Sequence, residues 1–260
     1  MPDGKALELG SVINFGDLFS RAYDLTYMDE KGERRYVNTT SFGISERSLA
    51  AVIAIHGDDR GLRLPPKIAP VQMVVIPIPK AEEKEPVIAK AREIYRRLKE
   101  AGLRVEIDES DERPGYKYYK WDIRGVPLKI DVGPQEVKGG YVSVARRDRV
   151  ERVKIPEREL VEGIRRMLEE YESALREEAK RYFESRLTHA ENFDEIREAI
   201  SAGKLASFAW CGREECAHTV EEEIGYGILG YEEGALSGKE RPCIVCGSPS
   251  PHRAWIGRSY

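Results

Sequence analysis

The sequence predicts an α/β protein divided into several domains, and three observations carry that prediction. A β-rich run at 71–76, an amphipathic helical stretch at 86–101 and an alternating strand at 103–107 follow one another at the spacing of a right-handed parallel crossover. Pro65 and Pro66 each fix φ and disfavour helix before them, which makes 64–67 a stiff connector and a domain boundary. All four cysteines lie beyond residue 210, in a glycine-rich stretch that starts near Thr188 and reads as a separate small unit.

Length and composition set the frame for these elements. With 260 residues the chain can hold one large core or two to three small ones. Its 41% hydrophobic and 34% charged residues are those of a soluble globular protein with an ion-paired surface. No apolar run approaches the ~18 residues that a membrane span needs, and Met1-Pro2-Asp3-Gly4 lacks the basic and apolar stretches of a secretory signal, so a cytoplasmic location is expected. A formal net charge of −4 argues against a general coat for nucleic acid, because counterion release rewards surplus Lys and Arg. Residues 113–154 depart from that average, with eleven Lys and Arg against five Asp and Glu, the signature of a local polyanion site on an otherwise acidic protein.

Residues 5–42 read as strands and turns. The runs 11–15 and 23–28 are strands separated by a polar piece that can be helical, and Asp29-Glu30-Lys31-Gly32 is a turn. Residues 45–57 predict a helix with Ser45 placed to cap it and Gly57 at its C-terminal side; nearly all of it is apolar, so it is expected to be buried. The helix at 86–101 puts Val87, Ala91, Ile94, Tyr95 and Leu98 on one face and ends at Gly102. Strands follow at 128–132 and 141–145, on either side of Gly133-Pro134 and Gly139-Gly140. Pro156 opens a long helical pattern through Leu160, Ile164, Met167, Leu168, Tyr171, Leu175, Tyr182 and Phe183, expected to link two domains. The domains are therefore read as 1–66, 67–155, a linking helix at 156–187, and 188–260.

Two constellations carry chemistry. Cys211-x4-Cys216 and Cys243-x2-Cys246 are close pairs flanked by Gly212 and Gly247, the pattern of a zinc site, since two thiolates so near in sequence reach one tetrahedral ion only through a sharp turn. Unrelated thiols or disulfides are the alternatives, and a cytosolic compartment disfavours the latter. Four protein ligands would make the metal structural, leaving His218 and His252 as surface residues. At 41–47 a strand runs into the apolar helix, so Arg47 falls in its first turn, where an arginine can grip phosphate oxygens or be simply solvated.

Three stretches then resemble a known family. Thr39-Thr40-Ser41-Phe42-Gly43-Ile44-Ser45-Glu46-Arg47, His56-Gly57-Asp58-Asp59-Arg60-Gly61-Leu62 and Leu64-Pro65-Pro66-Lys67-Ile68-Ala69-Pro70 resemble motif 3 and the exit segment of prolyl-tRNA synthetases of the archaeal and eukaryote-like type. Arg113-Pro114-Gly115-Tyr116-Lys117, Trp121-Asp122, Gly125-Val126-Pro127-Leu128-Lys129 and Gly133-Pro134 are similar to that family's anticodon-binding domain, and the cysteine pairs with Ile256-Gly257-Arg258-Ser259-Tyr260 to its C-terminal zinc domain. The resemblance implies part of a class II catalytic domain with an antiparallel sheet, then an α/β anticodon-binding domain with a mixed sheet, then a small α+β zinc-binding domain.

It further implies that Arg47 is the motif 3 arginine on the ATP triphosphate, with Ser45 beside the nucleotide. Asp122, Lys129 and Gln135 would read the two guanines of the proline anticodon by the donors and acceptors they present. Arg146, Arg147 and Arg149 would lie near RNA phosphates, or else form a solvated strand end. The family's Gln-x-Gly-Thr-x-His element, which contacts ATP and proline, reads here Glu8-Leu9-Gly10-Ser11-Val12-Ile13, so Glu8 falls at an ATP position and Gly10, Ser11, Ile13 and Gly43 at the substrate pocket. A carboxylate at Glu8 would repel phosphate. Implied partners are tRNA(Pro), proline, ATP with Mg2+, structural Zn2+ and, in the complete enzyme, a second copy in a homodimer. Motifs 1 and 2 have no counterpart in the 260 residues, so the expectation is a proline–tRNA ligase portion inactive alone, with a non-catalytic tRNA-binding module or one half of a split enzyme as alternatives.

Overall fold

The N-terminal segment is a set of short pieces: strand β1 (Gly10–Gly16), helix α1 (Leu18–Ala22), the hairpin of β2 (Thr26–Met28) and β3 (Arg34–Tyr36), strand β4 (Thr39–Ile44) and helix α2 (Arg47–His56). This description, from a computed structural model, covers residues 1–236 and 241–260. β1 and β4 pair antiparallel, with Ser11 opposite Gly43 and Val12 opposite Phe42. A two-stranded ribbon has no interior, and Val12, Phe42 and Ile44 are each at least 75% exposed. The same reason corrects the expectation for 45–57. The helix forms, but Ala51 is its one buried residue, because apolar composition buries a helix only where a second layer covers it.

The chain divides within α2: Val52–Ser185 form one unit, and Met1–Ala51 with Arg186–Tyr260 the other. The first is built on a mixed sheet in the order β6-β5-β7-β8-β9, comprising β5 (Met73–Pro77), β6 (Val105–Ile107), β7 (Leu128–Val132), β8 (Tyr141–Arg146) and β9 (Arg152–Pro156). β5 runs parallel to β6 and β7, while β8 and β9 are antiparallel to their neighbours. Its helices are α3 (Lys84–Glu100), α4 (Pro114–Ile123), α5 (Pro134–Gly139) and α6 (Leu160–Ser185). α3 is the predicted crossover, burying Val87, Ala91, Ile94 and Leu98 with Tyr95 half-covered.

The first turns of α6 pack on the same core, where Leu160, Ile164, Met167 and Leu168 meet Met73, Val75, Leu128, Ile130, Val142 and Val144. The helix read as a link between domains is thus, for its N-terminal half, core of this unit, and Phe183 near its other end is exposed. α4 covers the opposite face, where Trp121 and Val126 join Val74 and Ile76. Period-two alternation along β7 sends Leu128, Ile130 and Val132 to the first core and Lys129 and Asp131 to the α4 side.

In the other unit, β10 (Leu187–His189), β11 (Leu205–Trp210), β15 (His252–Ile256) and β12 (Ile228–Glu232) form a four-stranded sheet in that order, parallel between β10 and β11 and otherwise antiparallel. α7 (Phe193–Ser201) and α8 (Glu214–Ile224) supply Ile196, Ile200 and Val220 to a core with Phe208, Ala254 and Ile256. A small hairpin pairs β13 (Arg241–Pro242) with β14 (Pro249–Ser250). Ala6 bridges Ser259, and the Tyr260 hydroxyl donates to Asp3 at 2.7 Å, so the first and last segments of the chain close on each other. Among the described residues no helix is long and apolar enough to cross a membrane.

Candidate functional site

Helix α4 starts on Pro114 without a side-chain cap, and Asp108 anchors it instead. The buried Asp108 carboxylate accepts from Ser110 N (3.2 Å) and Oγ (2.6 Å) at one oxygen, and from Lys120 Nζ (3.0 Å) and Trp121 Nε1 (2.7 Å) at the other. Its main-chain carbonyl accepts from buried Lys117 Nζ at 2.9 Å. Burial by itself would raise this carboxyl's pKa, but the donors together hold it well below the usual carboxylate range.

So positioned, α4 brings Asp122 against Lys129 of β7, and the ammonium and carboxylate are in direct contact. Both side chains are mostly covered, 8% and 14% exposed, so the pair forms the floor of this face rather than its rim. Burial lowers the Lys129 pKa, and Asp122 offsets part of that. An ammonium has three N–H donors and a carboxylate two acceptor oxygens, so each member keeps capacity for a ligand.

Arg146 and Arg147 do not sit where RNA phosphates were expected. Arg147 is fully buried: Nη1 donates to Asp58 Oδ2 at 2.9 Å, Nη2 to Asp58 Oδ1, and Nε to the Asp122 carbonyl at 3.1 Å. Arg146, also buried, binds Asp148 through Nε (2.9 Å) and Nη2 (2.7 Å). A guanidinium taken from water must be paired, and these two are paired internally, leaving Arg149 exposed.

Gln135 lies apart from the Asp122–Lys129 pair, on α5 at the wall of a cleft of about 380 Å³ also lined by Tyr118, Asp131, Ser143, Arg152 and Lys80. Arg152 Nε donates to Asp131 Oδ2 at 2.7 Å, while Asp131 Oδ1 is buried and has no partner among the described residues. Burial pushes the Asp131 pKa up despite Arg152 and Tyr118. Tyr118 lies under both cations, its ring 5.2 Å from the Arg152 guanidinium and 5.9 Å from the Lys129 ammonium. Sequence reasoning missed Tyr118, Asp131 and Arg152. One signal was present: Asp131 stands two residues after Lys129 in a strand, hence on the same face.

In the other unit, the residues matched to nucleotide and substrate positions gather around the β1–β4 ribbon. Ser45 Oγ donates to the Leu9 carbonyl at 3.3 Å, so it serves the ribbon and not the helix it was expected to cap. Arg47 is the first residue of α2, and its Nη1 donates to the Glu8 carbonyl at 3.2 Å and lies 3.9 Å from the Glu8 carboxylate. Gly10 pairs with Ile44, Ser11 with Gly43 and Ile13 with Ser41. Both charged side chains are more than half exposed, so the Arg47–Glu8 pair is weak.

The four cysteines converge. Cys211 follows β11, Cys216 sits in the first turn of α8, and Cys243 and Cys246 occupy the tip of the β13–β14 hairpin. Their sulfurs all lie within 4.8 Å of one another, and Cys211 and Cys246 are 3.8 Å apart. Metal–sulfur bonds of about 2.3 Å place tetrahedral corners about 3.8 Å apart, so the cluster fits a metal ion. Gly212 and Gly247 take positive φ (88° and 71°), the turns that the spacing required. Arg213 closes the site, donating from Nη2 to Cys246 Sγ at 2.8 Å and to Ser248 Oγ at 3.3 Å. His218 faces Glu214 and Glu221, and His252 stacks near Trp210 and Tyr231, so neither joins the cluster.

Comparisons with known proteins bear on both units. The anticodon binding domain family matches residues 72–167, and the family described as prolyl-tRNA synthetase, C-terminal, matches 193–260. The proline–tRNA ligase of Methanosarcina mazei is 44% identical over 260 residues, which is all of this chain and 54% of that protein. The chain is similar to the C-terminal half of these prolyl-tRNA synthetases. The proline–tRNA ligases of Thermococcus kodakarensis and Methanothrix thermoacetophila are each 43% identical, across the whole chain and 55% and 54% of their own lengths. The chain thus spans about half the length of the curated relatives it matches. Asp122, Lys129 and Gln135 fall within the anticodon-binding match, and the four cysteines within the prolyl-tRNA synthetase C-terminal match.

Proposed function

We propose that this chain is the tRNA-reading part of a proline–tRNA ligase, the activity of protein biosynthesis that joins proline to its tRNA through a prolyl-adenylate. The observation that carries the proposal is the contact of Asp122 with Lys129 inside the anticodon-binding match. Guanine alone among the bases presents an O6 acceptor next to two donors, N1–H and N2–H, on one edge; an ammonium can serve the first while a neighbouring carboxylate accepts the other two. The exposed amide of Gln135, on the wall of the neighbouring cleft, offers a second reading group with both a donor and an acceptor, which suits an anticodon with two guanines. Exposed cations of 113–154, Arg113, Arg124, Arg149 and Lys154 among them, serve the phosphates.

In this reading Cys211, Cys216, Cys243 and Cys246 hold one structural zinc, with no open position for water. Arg47 at the start of α2, with Ser45, Glu8, Gly10, Ser11, Ile13 and Gly43, forms one edge of the site for ATP, Mg2+ and proline in the complete cytoplasmic enzyme, a homodimer. A stem-loop of proline tRNA should bind the chain more tightly than one whose anticodon guanines are replaced by adenine. Equal affinities would refute the reading.

A non-catalytic tRNA-binding module is the second reading, favoured by the Glu8 carbonyl and carboxylate that occupy Arg47. Proline-dependent pyrophosphate exchange after mixing the 260-residue chain with an N-terminal half that carries motifs 1 and 2 separates the two: restored exchange supports the ligase part, and selective tRNA binding with no restored exchange supports the module.

A further inference from the structure

We infer that Asp58 is a specificity-determining positioning residue: by holding Arg147, it keeps the Asp122 carboxylate available to Lys129 and to a guanine. The inference rests on the anticodon reading above and assigns a role to the 56–62 segment, which that reading leaves unused.

Five side chains of one unit form a row of alternating charge: Arg60, Asp58, Arg147, Asp122 and Lys129. Arg60 Nη2 donates to the Arg147 carbonyl at 2.8 Å and lies 3.8 Å from Asp58 Oδ2. Arg147 has two acidic neighbours. It binds Asp58 through both terminal nitrogens, whereas its Nε stops 3.8 Å from Asp122 Oδ1 and donates to the Asp122 main chain instead. Being fully buried, the guanidinium has no route to water and must satisfy itself on a carboxylate. Without the charge of Asp58, the next carboxylate in reach is that of Asp122. A planar guanidinium there would displace Lys129 and cover the oxygens needed by N1–H and N2–H.

The backbone holds Asp58 in register for this task. Leu62 N donates to the Ile123 carbonyl (3.1 Å) and Leu64 N to that of Gly125 (3.3 Å), immediately after Asp122. The two strands of chain touch where only glycine fits: a Cβ on Gly61 would lie 2.5 Å from Ile123 Cα, and one on Gly125 2.5 Å from Leu62 Cβ.

The test uses the full chain and measures the affinity ratio between a proline-tRNA stem-loop and its adenine-substituted version, with circular dichroism confirming fold. Asp58→Asn should lower the ratio about tenfold, mainly by weakening the guanine loop, and adding Arg147→Met should bring it back to within about threefold of the unmodified chain, since no guanidinium remains to invade. A residue of purely structural value would give a double variant worse than the single. A folded Asp58→Asn that keeps the original ratio, or a double variant no better than the single, overturns the inference while leaving the anticodon reading intact. An unmodified chain that fails to discriminate overturns both. If Asp58→Asn does not fold, Arg147→Met alone decides: a preserved ratio supports the inference, and a folded variant that has lost it refutes it.

Discussion

Replacing Asp108 by asparagine changes one atom and removes a charge at the foot of the helix that carries Asp122. An amide has a single oxygen, so its NH2 must face either Ser110, where the hydroxyl can turn to accept but the backbone N–H is orphaned, or Lys120 and Trp121, which can only donate; one or two of the four contacts at 2.6–3.2 Å are lost, and the charge is lost from all of them. Hydrogen bonds to a buried charge contribute about 1.5–3 kcal/mol each, and the orphaned donors add their own penalty, so the unit should lose about 3–5 kcal/mol. For a unit of this size that lowers the melting temperature by roughly 10 °C or more. The pH dependence fixes the sign. The folded carboxyl titrates below its unfolded value of about 3.9, so its stabilisation is complete at neutral pH and is lost as pH falls below about 4 toward the depressed folded pKa. Asparagine has no such dependence, and the gap between the two proteins should narrow on acidification. Thermal melts followed by Trp fluorescence at pH 7 and across the range below pH 4 measure both effects. A gap under about 0.5 kcal/mol at neutral pH, or one that does not change with pH, would show that Asp108 does not anchor α4 as argued.

Lys129→Met removes the donor proposed for guanine O6 and should weaken binding of the proline stem-loop by about 1–3 kcal/mol while barely altering the adenine version, as read by titration. Gly61→Ala forces a Cβ onto Ile123 at a φ of 123° and should destabilise the 52–185 unit by about 2–4 kcal/mol in urea, and Gly102→Ala by only about 1 kcal/mol, the cost of its positive φ (78°) alone, since nothing lies within 4 Å of a Cβ there. Elemental analysis should find about one zinc per chain if all four thiolates share one ion. Arg213→Met strips the guanidinium from Cys246 and should weaken metal retention about 10-fold or more against a chromogenic chelator, with Arg213→Lys in between; unchanged retention would make that contact incidental.

The parts of the fold that were legible are those whose signal is local. The periodicity of Val87, Ala91, Ile94 and Leu98, the apolar strand at Leu128–Val132 and the cysteine spacing each encode their outcome within a few residues. α4 was missed because Pro114-Gly115 reads as a turn and its inward residues, Lys117 and Trp121, form no apolar stripe; Lys117 is buried only because the Asp108 carbonyl receives it. β9 was missed because Arg152 and Lys154 make it look like surface, though Arg152 points at Asp131 across two strands. The resemblance singled out Asp122 and Lys129 but not their contact, which the packing of α4 on β7 creates, and Arg147 could not be separated from Arg146 and Arg149 by inspection, since only the fold decides which of three neighbouring arginines meets Asp58. The apolar helix α2 misled for the converse reason: composition states a need for cover, and cover comes from elsewhere.

The unit made of Met1–Ala51 and Arg186–Tyr260 is discontinuous, and its two pieces are joined at Ala6 with Ser259 and at Asp3 with Tyr260. On a ribosome adding roughly 5–20 residues per second, the first piece waits about 10–40 s for the last residue to emerge, while Val52–Ser185 can fold in the interval. During that wait Asp3 and Ala6 are without their partners Tyr260 and Ser259, so this unit should become resistant to proteolysis later than Val52–Ser185 does.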